Sequence, residues 1–295
     1  METVPYDKRS GQIWFNGTPV DWNKANIHVL SHGLHYASCD FEGERVYDGE
    51  IFKLKEHTER LFYSAKRMGI KIPFDQSEIN DACKNIVNIQ KVQNGYVRPV
   101  IWRGSEMMAV SAQKNKIHVA IATWEWGSYF DPKLKLNGIK LNISSWRRPN
   151  PNSVPWDTKA AGLYMICTLS KHDAESKGFT DSLMLDHDGN IAEATGANIF
   201  FKNSEGEIHT PTPDSFLDGI TRRTVIDIAK KKGIKVVERK IKPEEMKNFV
   251  GCFLTGTAAE ITPVSQIDNY NFKVCNIITN LNDNYQSLVR KKPAA

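Results

Sequence analysis

No apolar run in the chain approaches the roughly 20 residues that a membrane-spanning helix requires. The opening segment Met1–Ser10 is polar and carries no apolar signal core. Neither a membrane anchor nor a secretory leader is therefore expected. Cysteine is scarce. The five residues, Cys39, Cys83, Cys167, Cys252 and Cys275, are odd in number, widely spaced and free of any C-x-x-C pair. That pattern argues against a disulfide framework and against a zinc site, and no metal is expected. Several of these thiols sit in apolar contexts, where cysteine acts as a small hydrophobe, so a reducing, cytoplasmic setting fits. The G-x-G-x-x-G and P-loop patterns are missing, which leaves dinucleotide and nucleoside triphosphate sites unsignalled. There is no internal repeat and no low-complexity segment. Charge of one sign is modest, with a formal net charge of +5. The basic clusters at 230–242 and 290–292 have no aromatics interleaved for base stacking, so they read as solvated faces and no nucleic-acid partner is expected.

What is present suits an ordinary globular protein. A chain of 295 residues can bury a large core and form two domains. Residues 1–127 read as a small α+β domain with hairpin-linked antiparallel strands. Asn16-Gly17 and Asp48-Gly49 are hairpin turns. Strands are expected at 38–47, 51–54, 96–102 and 117–124. Helices are expected from Lys55 to Met68 and after Ser77, the proposed cap, with Ile79, Ala82, Ile86 and Ile89 repeating at three and four. Residues 128–137 read as an interdomain connection. Residues 138–295 form the larger domain, with strands near 138–145, 182–186, 191–194, 198–202, 234–239 and 251–255. Its helices are expected near 160–177, 220–232, 243–248 and 275–290.

The chemistry concentrates in the second half. Lys159 follows Asp157-Thr158, either of which can cap a helix. The apolar run Leu163, Met165, Ile166, Cys167 and Leu169 reads as a buried helix. A lysine in its first turn faces the positive end of the helix dipole, which with burial lowers the pKa and frees a nucleophilic amine. Two readings stand at this point: a Schiff-base lysine, and a lysine that snorkels to solvent. Glu193, in an otherwise apolar and small-residue strand, is either an edge-strand carboxylate or the partner of a cationic ring nitrogen, as pyridoxal phosphate needs. Leu217-Asp218-Gly219-Ile220-Thr221 opens a helix, with Thr221 able to cap. It suits an anion as well as it suits a plain helix start. Leu254-Thr255-Gly256-Thr257-Ala258-Ala259 offers a second set of amides and hydroxyls. Arg60 could give a phosphate its full positive charge or form a surface ion pair. Tyr96 and Arg98, two apart in a strand, share a face where a carboxylate could dock.

Taken in order, Ser31-His32-Gly33-Leu34-His35-Tyr36, Phe41-Glu42-Gly43-Glu44-Arg45, Tyr96-Val97-Arg98-Pro99, Lys159 to Tyr164, Glu193, Leu217 to Arg222 and Gly256 to Pro263 resemble the branched-chain amino acid aminotransferases of pyridoxal-phosphate fold type IV. The resemblance runs from about Trp14 to Pro263. It implies a two-domain fold of mixed α+β and α/β character, whose larger domain carries a mostly antiparallel, barrel-like sheet. It implies pyridoxal 5′-phosphate as cofactor and transamination between branched-chain L-amino acids and 2-oxoglutarate by a ping-pong route, as in branched-chain amino acid biosynthesis. Lys159, Tyr164 and Glu193 would be catalytic. Arg60, Leu217, Gly219, Ile220, Thr221, Gly256 and Thr257 would hold the cofactor with them. Tyr36, Phe41, Gly43, Tyr96, Arg98, Met108, Trp126, Tyr129, Thr257 and Ala258 would shape the substrate pocket. Tyr36 would reach into a neighbouring subunit's site, making a homodimer the smallest working unit. D-amino acid and (R)-amine transaminases, aminodeoxychorismate lyases and a non-catalytic ligand-binding relative are the alternatives within reach of the same motifs. The chain departs from the family's usual pattern at Asp40, Glu44, Arg103, Asp157-Thr158 and Ala197. The acidic and basic exchanges are expected to form a compensating surface pair.

Overall fold

A computed structural model describes residues 4–127, 129–130 and 136–290. The expected connection 128–137 lies for the most part outside these. The chain divides into two units, Met1–Gly127 with Thr158–Gly162, and Ser128–Asp157 with Leu163–Ala295. The short segment around Lys159 thus belongs with the first unit, although in sequence it is flanked on both sides by the second.

The first unit contains β1 (Gln12–Phe15), β2 (Thr18–Asp21), α1 (His32–Tyr36), β3 (Cys39–Phe41), β4 (Glu44–Tyr47), β5 (Glu50–Ile51), α2 (Leu54–Arg67), α3 (Gln76–Gln90), β6 (Gly95–Arg103) and β7 (Ile117–Glu125). Its sheet runs β2-β1-β7-β6-β4-β5, with β3 also on β6. Both hairpin turns form at the Asn-Gly and Asp-Gly pairs, all four residues having positive φ (50° and 107°, 51° and 86°), the conformation those residue types tolerate. One face of the sheet packs Val46, Val97, Ile101, Val119 and Ile121 against Leu61 and Ala65 of α2 and Ile79, Cys83 and Ile86 of α3. Three expectations change. The strand foreseen over 38–47 is interrupted at Glu42-Gly43, where Pro99 of β6 has no N–H to continue the ladder and only Glu42 N reaches the Pro99 carbonyl, at 2.8 Å. The strand foreseen over 51–54 stops at Ile51 because α2 starts at Leu54. Asp75, not Ser77, caps α3, through a capping box with Glu78.

The second unit contains β8 (Ile139–Arg147), α4 (Met165–Ser176), β9 (Asp181–Leu185), β10 (Ile191–Ala194), β11 (Asn198–Asn203), β12 (Ile208–Thr210), α5 (Ile220–Lys231), β13 (Val236–Glu238), β14 (Phe249–Gly256), β15 (Glu260–Ile267), β16 (Tyr270–Asn271) and α6 (Asn276–Val289). Strands β10-β9-β8-β15-β14-β11 follow one another and the β10–β11 pairing closes the ring. The result is a closed six-stranded barrel-like sheet, antiparallel except where β8 pairs β9 and β15. Alternate side chains, among them Leu141, Leu183, Ile199, Leu254 and Val264, make one core.

The helix expected from 160 is replaced by a 3-10 turn, Ala161–Tyr164, followed by α4. Its buried face is Cys167, Ser170 and Ala174, whereas Met165 and Leu169 are exposed; the apolar run is not continuously buried. Among the described residues no helix is long and apolar enough to cross a membrane.

Candidate active site

In the first unit the site is assembled on β3, β4 and β6. Residues 158–162 lie along the outer edge of β3. Asp40 bridges Ala160, the Phe41 amide donates to the Lys159 carbonyl at 3.3 Å, and the Lys159 amide donates to Ser64 Oγ at 3.0 Å. Lys159 is therefore held in extended backbone, not in the first turn of a helix. Its amine is lowered from the ordinary lysine value by burial first and by the Arg60 guanidinium second. The helix-dipole cause expected from the sequence does not operate.

Cross-strand partners share a face. Phe41 pairs with Val100 and Arg45 with Tyr96, so these look away from the helices, as Arg98 does. On that face Lys159 Nζ lies 4.8 Å, and the Arg98 guanidinium 4.6 Å, from the centre of the Phe41 ring. Arg98 Nη2 lies 3.5 Å from Tyr96 Oη. Trp126 meets Tyr96 edge-on at 4.9 Å. Gly43 is what lets the Tyr96 hydroxyl in, since a Cβ there would sit 1.7 Å from Oη. Tyr36, stacked on His32, and Met108 are exposed, at 46% and 41%.

The opposite face carries Asp40, Glu42 and Glu44, opposite Ile101 and Val97 of the helix-packed core, and all three are fully buried. Glu42 alone is matched by cations. Arg60 donates through Nε to Oε1 at 2.6 Å and through Nη2 to Oε2 at 2.9 Å, and His57 Nδ1 donates to Oε2 at 2.7 Å. Burial by itself would push the Glu42 carboxyl up, but Arg60 and His57 hold it well below its ordinary value. Burial lowers the His57 imidazole from its ordinary value, with the Glu42 carboxylate opposing that shift. Neither Asp40 nor Glu44 has a hydrogen-bond partner for either carboxylate oxygen. Burial pushes Asp40 up to about 7, and burial with Glu42 nearby pushes Glu44 well above its usual value. The expected surface pair is therefore absent: both acids are in the core, and Arg103 donates instead to the carbonyls of Ala112 and Gly69 at 3.2 and 2.7 Å.

In the second unit Glu193 stands on β10 directly across from Asn198 of β11. Asn198 Nδ2 donates to Glu193 Oε2 at 3.3 Å, and buried Arg148 places Nε 3.5 Å from Oε1. The helix α5 opens with Gly219 as N-cap and no side-chain cap. Thr221 is thus inside the first turn rather than the cap. Its neighbours Leu217 and Gly219 are tied to Asn198. Gly256, Thr257 and Ala258, at the turn between β14 and β15, are partly buried. Tyr164 ends the 3-10 turn and is also partly buried, while Tyr129 is exposed at 44%.

Uncapped helix amides and a carboxylate are the donor set for an anion and a cationic ring nitrogen. In the first unit, taken by itself, the Lys159 amine and the Arg60 guanidinium are groups that could anchor an aldehyde and a phosphate. The groups fit pyridoxal phosphate. Glu42, His57, Asn198 and Arg148 are missed by sequence reasoning. Nothing local singles out Glu42, since Asp40 and Glu44 share its face and have no partner; the one signal is that His57 and Arg60 stand one helical turn apart.

The amino-transferase class IV family model matches residues 41–267. A probable branched-chain-amino-acid aminotransferase of Rickettsia conorii is 40% identical over 295 residues, covering 99% of this chain and 100% of that protein. The branched-chain-amino-acid aminotransferase of Pseudomonas aeruginosa is 40% identical over 264 residues, 88% of this chain and 86% of that one. Among solved structures, the T.th. branched-chain amino acid aminotransferase with pyridoxamine 5′-phosphate superposes with a TM-score of 0.92 at 36% identity, covering 96% of each chain. The same enzyme has been solved with N-(5′-phosphopyridoxyl)-L-glutamate, with a TM-score of 0.90 at 36% identity over 96% of this chain and 95% of that one.

Proposed function

The chain belongs to the amino-transferase class IV family, and on that premise we propose that it exchanges amino groups between branched-chain L-amino acids and 2-oxoglutarate, with Lys159 as the covalent anchor of its cofactor. The cofactor is pyridoxal 5′-phosphate and the enzyme is a branched-chain aminotransferase of fold type IV. When bound, pyridoxal phosphate supplies the aldehyde that takes the amino group and the ring that accepts electrons as the substrate Cα loses its proton.

The chain's own residues do the rest. Lys159 Nζ is the nucleophile that holds the cofactor and then the group that takes and returns the Cα proton. Its lowered pKa increases the unprotonated fraction available for both tasks. Glu193 pairs with the ring nitrogen, and Tyr164 hydrogen-bonds the ring's phenolic oxygen. Arg60, Leu217, Gly219, Ile220, Thr221, Gly256 and Thr257 bind the phosphate end. Residues 138–295 act as the cofactor-binding domain, and 1–127 supply most of the substrate wall. Phe41 and Trp126 suit an aliphatic side chain, while Arg98 beside the Tyr96 hydroxyl suits the distal carboxylate of glutamate. The glutamate adduct of the T.th. relative supports that second use of the pocket.

We also read the active form as a homodimer with Tyr36 entering the neighbouring site. Val29, Leu34, Ile27 and Tyr36 are exposed at 67%, 61%, 50% and 46%, an apolar surface that a partner would cover. Five free thiols support a reducing, cytoplasmic setting.

The observation that carries the reading is the half-buried Lys159, fixed in extended backbone beside β3 with its amine 4.8 Å from the centre of the Phe41 ring and lowered from the ordinary lysine value. The test is a donor panel against 2-oxoglutarate: leucine, isoleucine and valine should turn over, and Lys159→Ala should abolish that turnover. Activity confined to D-alanine, to 1-phenylethylamine or to pyruvate release from aminodeoxychorismate would overturn the substrate assignment. Undiminished turnover by Lys159→Ala would overturn the role of the lysine.

A further inference from the structure

The Glu193 carboxylate and the loop that opens α5 share one side chain. Asn198 is buried, with 4% exposure. Its Nδ2 donates both to Glu193 Oε2 at 3.3 Å and to the Leu217 carbonyl at 3.0 Å. Its Oδ1 accepts from the Gly219 amide at 3.1 Å. The same residue is paired through the backbone with Glu193 on one side and with Thr255, just before Gly256, on the other. Gly219 is what permits the approach. A Cβ there would stand 2.3 Å from Asn198 Oδ1 and drive the amide away, although the backbone at Gly219, with φ −66°, would accept any residue. An amide is the one neutral side chain that can donate to a carboxylate and a carbonyl while accepting from an N–H. An aspartate would repel Glu193 and the Leu217 carbonyl, and an aliphatic residue would take one hydrogen bond from each of the three groups, leaving Arg148 to hold the Glu193 carboxylate without the tie to the loop.

We propose that Asn198 is a positioning residue that braces the ring-facing Glu193 carboxylate and the phosphate loop 217–221 into one rigid piece, so that disturbing either end weakens the grip at both. The inference rests on the cofactor roles proposed above for Glu193 and that loop. A residue serving the loop alone would affect only ligands that carry a phosphate. A residue serving the carboxylate alone would affect all ring ligands equally. A brace affects both.

The experiment is titration of the cofactor-free protein with pyridoxal 5′-phosphate and, separately, with pyridoxal, which lacks the phosphate. Gly219→Ala changes no group that touches a ring, but its methyl displaces the Asn198 amide, so the brace predicts weaker binding of pyridoxal as well. Asn198→Leu should weaken pyridoxal about tenfold, the worth of one lost hydrogen bond to a charged group, and should also shrink the preference for the phosphorylated ligand. Unchanged pyridoxal affinity in Gly219→Ala, or an unchanged preference ratio in Asn198→Leu, would overturn the brace. If Asn198→Leu does not fold, Gly219→Ala decides alone. Glu193→Gln separates the premises: unaltered binding of both ligands in that variant would overturn the role of Glu193 itself, and the brace with it.

Discussion

Asp40→Asn should make the protein more stable at pH 8 than at pH 5, relative to the unmodified chain. Asp40 is fully buried on the helix-packed face of β3, and neither carboxylate oxygen has a partner. Burial raises its pKa from 3.8 to about 7. The unfolded chain gives up this proton near its ordinary pKa, while the folded chain keeps it. Between those limits folding takes up a proton, so stability falls as pH rises. Below 3.8 the two states are equally protonated, and above about 7 both are ionised and the penalty is constant. The slope is about 1.4 kcal/mol per pH unit, so about 2 units between pH 5 and the folded pKa correspond to roughly 2–3 kcal/mol. Asparagine has nearly the same shape and no charge to desolvate. Denaturant unfolding of the two proteins, followed by tryptophan emission at pH 5 and pH 8, should show the variant gaining that difference. An equal stability gap at both pH values would refute the reasoning and mean that the carboxylate is not held neutral by burial.

Glu42→Gln should cost about 3–5 kcal/mol of stability, because it leaves the Arg60 guanidinium and His57 without the charge that matches them; urea midpoints would measure it. Gly43→Ala should leave the fold intact but raise KM for leucine at least about tenfold, since the added Cβ overlaps the Tyr96 hydroxyl, and packing clashes of this kind cost about 1–3 kcal/mol; steady-state kinetics would check it. Arg60→Met removes a cation that lowers the Lys159 amine. The pH profile for reductive methylation at Lys159 in cofactor-free protein should therefore move to higher pH, and no shift would contradict the assigned cause.

Much of the fold is legible in the sequence where local chemistry is decisive. The Asn16-Gly17 and Asp48-Gly49 hairpins follow from residues that tolerate positive φ, and the helices 220–231 and 276–289 follow from apolar periodicity. The closure of the barrel-like sheet is not a local property. It depends on β10 pairing with both β9 and β11, and only the resemblance anticipated it. The strand Glu260–Ile267 is hidden in the sequence by Pro263 and by the small residues before it. Among the candidate residues, Lys159 and Glu193 stand out because a charge within apolar or small residues is costly. Their supports do not. Asn198 resembles any polar strand residue until its three partners are seen, and the extended backbone at Lys159 reflects a tertiary contact with β3 that a helical pattern in sequence cannot report. The burial of Asp40 and Glu44 arises from register: even positions on β3 and β4 face the helices, and nothing in the local sequence marks that face as apolar.

The anchoring of the cofactor by Lys159 is tested most directly by borohydride reduction of the loaded enzyme followed by peptide mapping. The expected result is loss of the visible absorbance and a phosphopyridoxyl group on the peptide that contains Lys159. A reduced group on a different lysine, or none on any peptide, would contradict it.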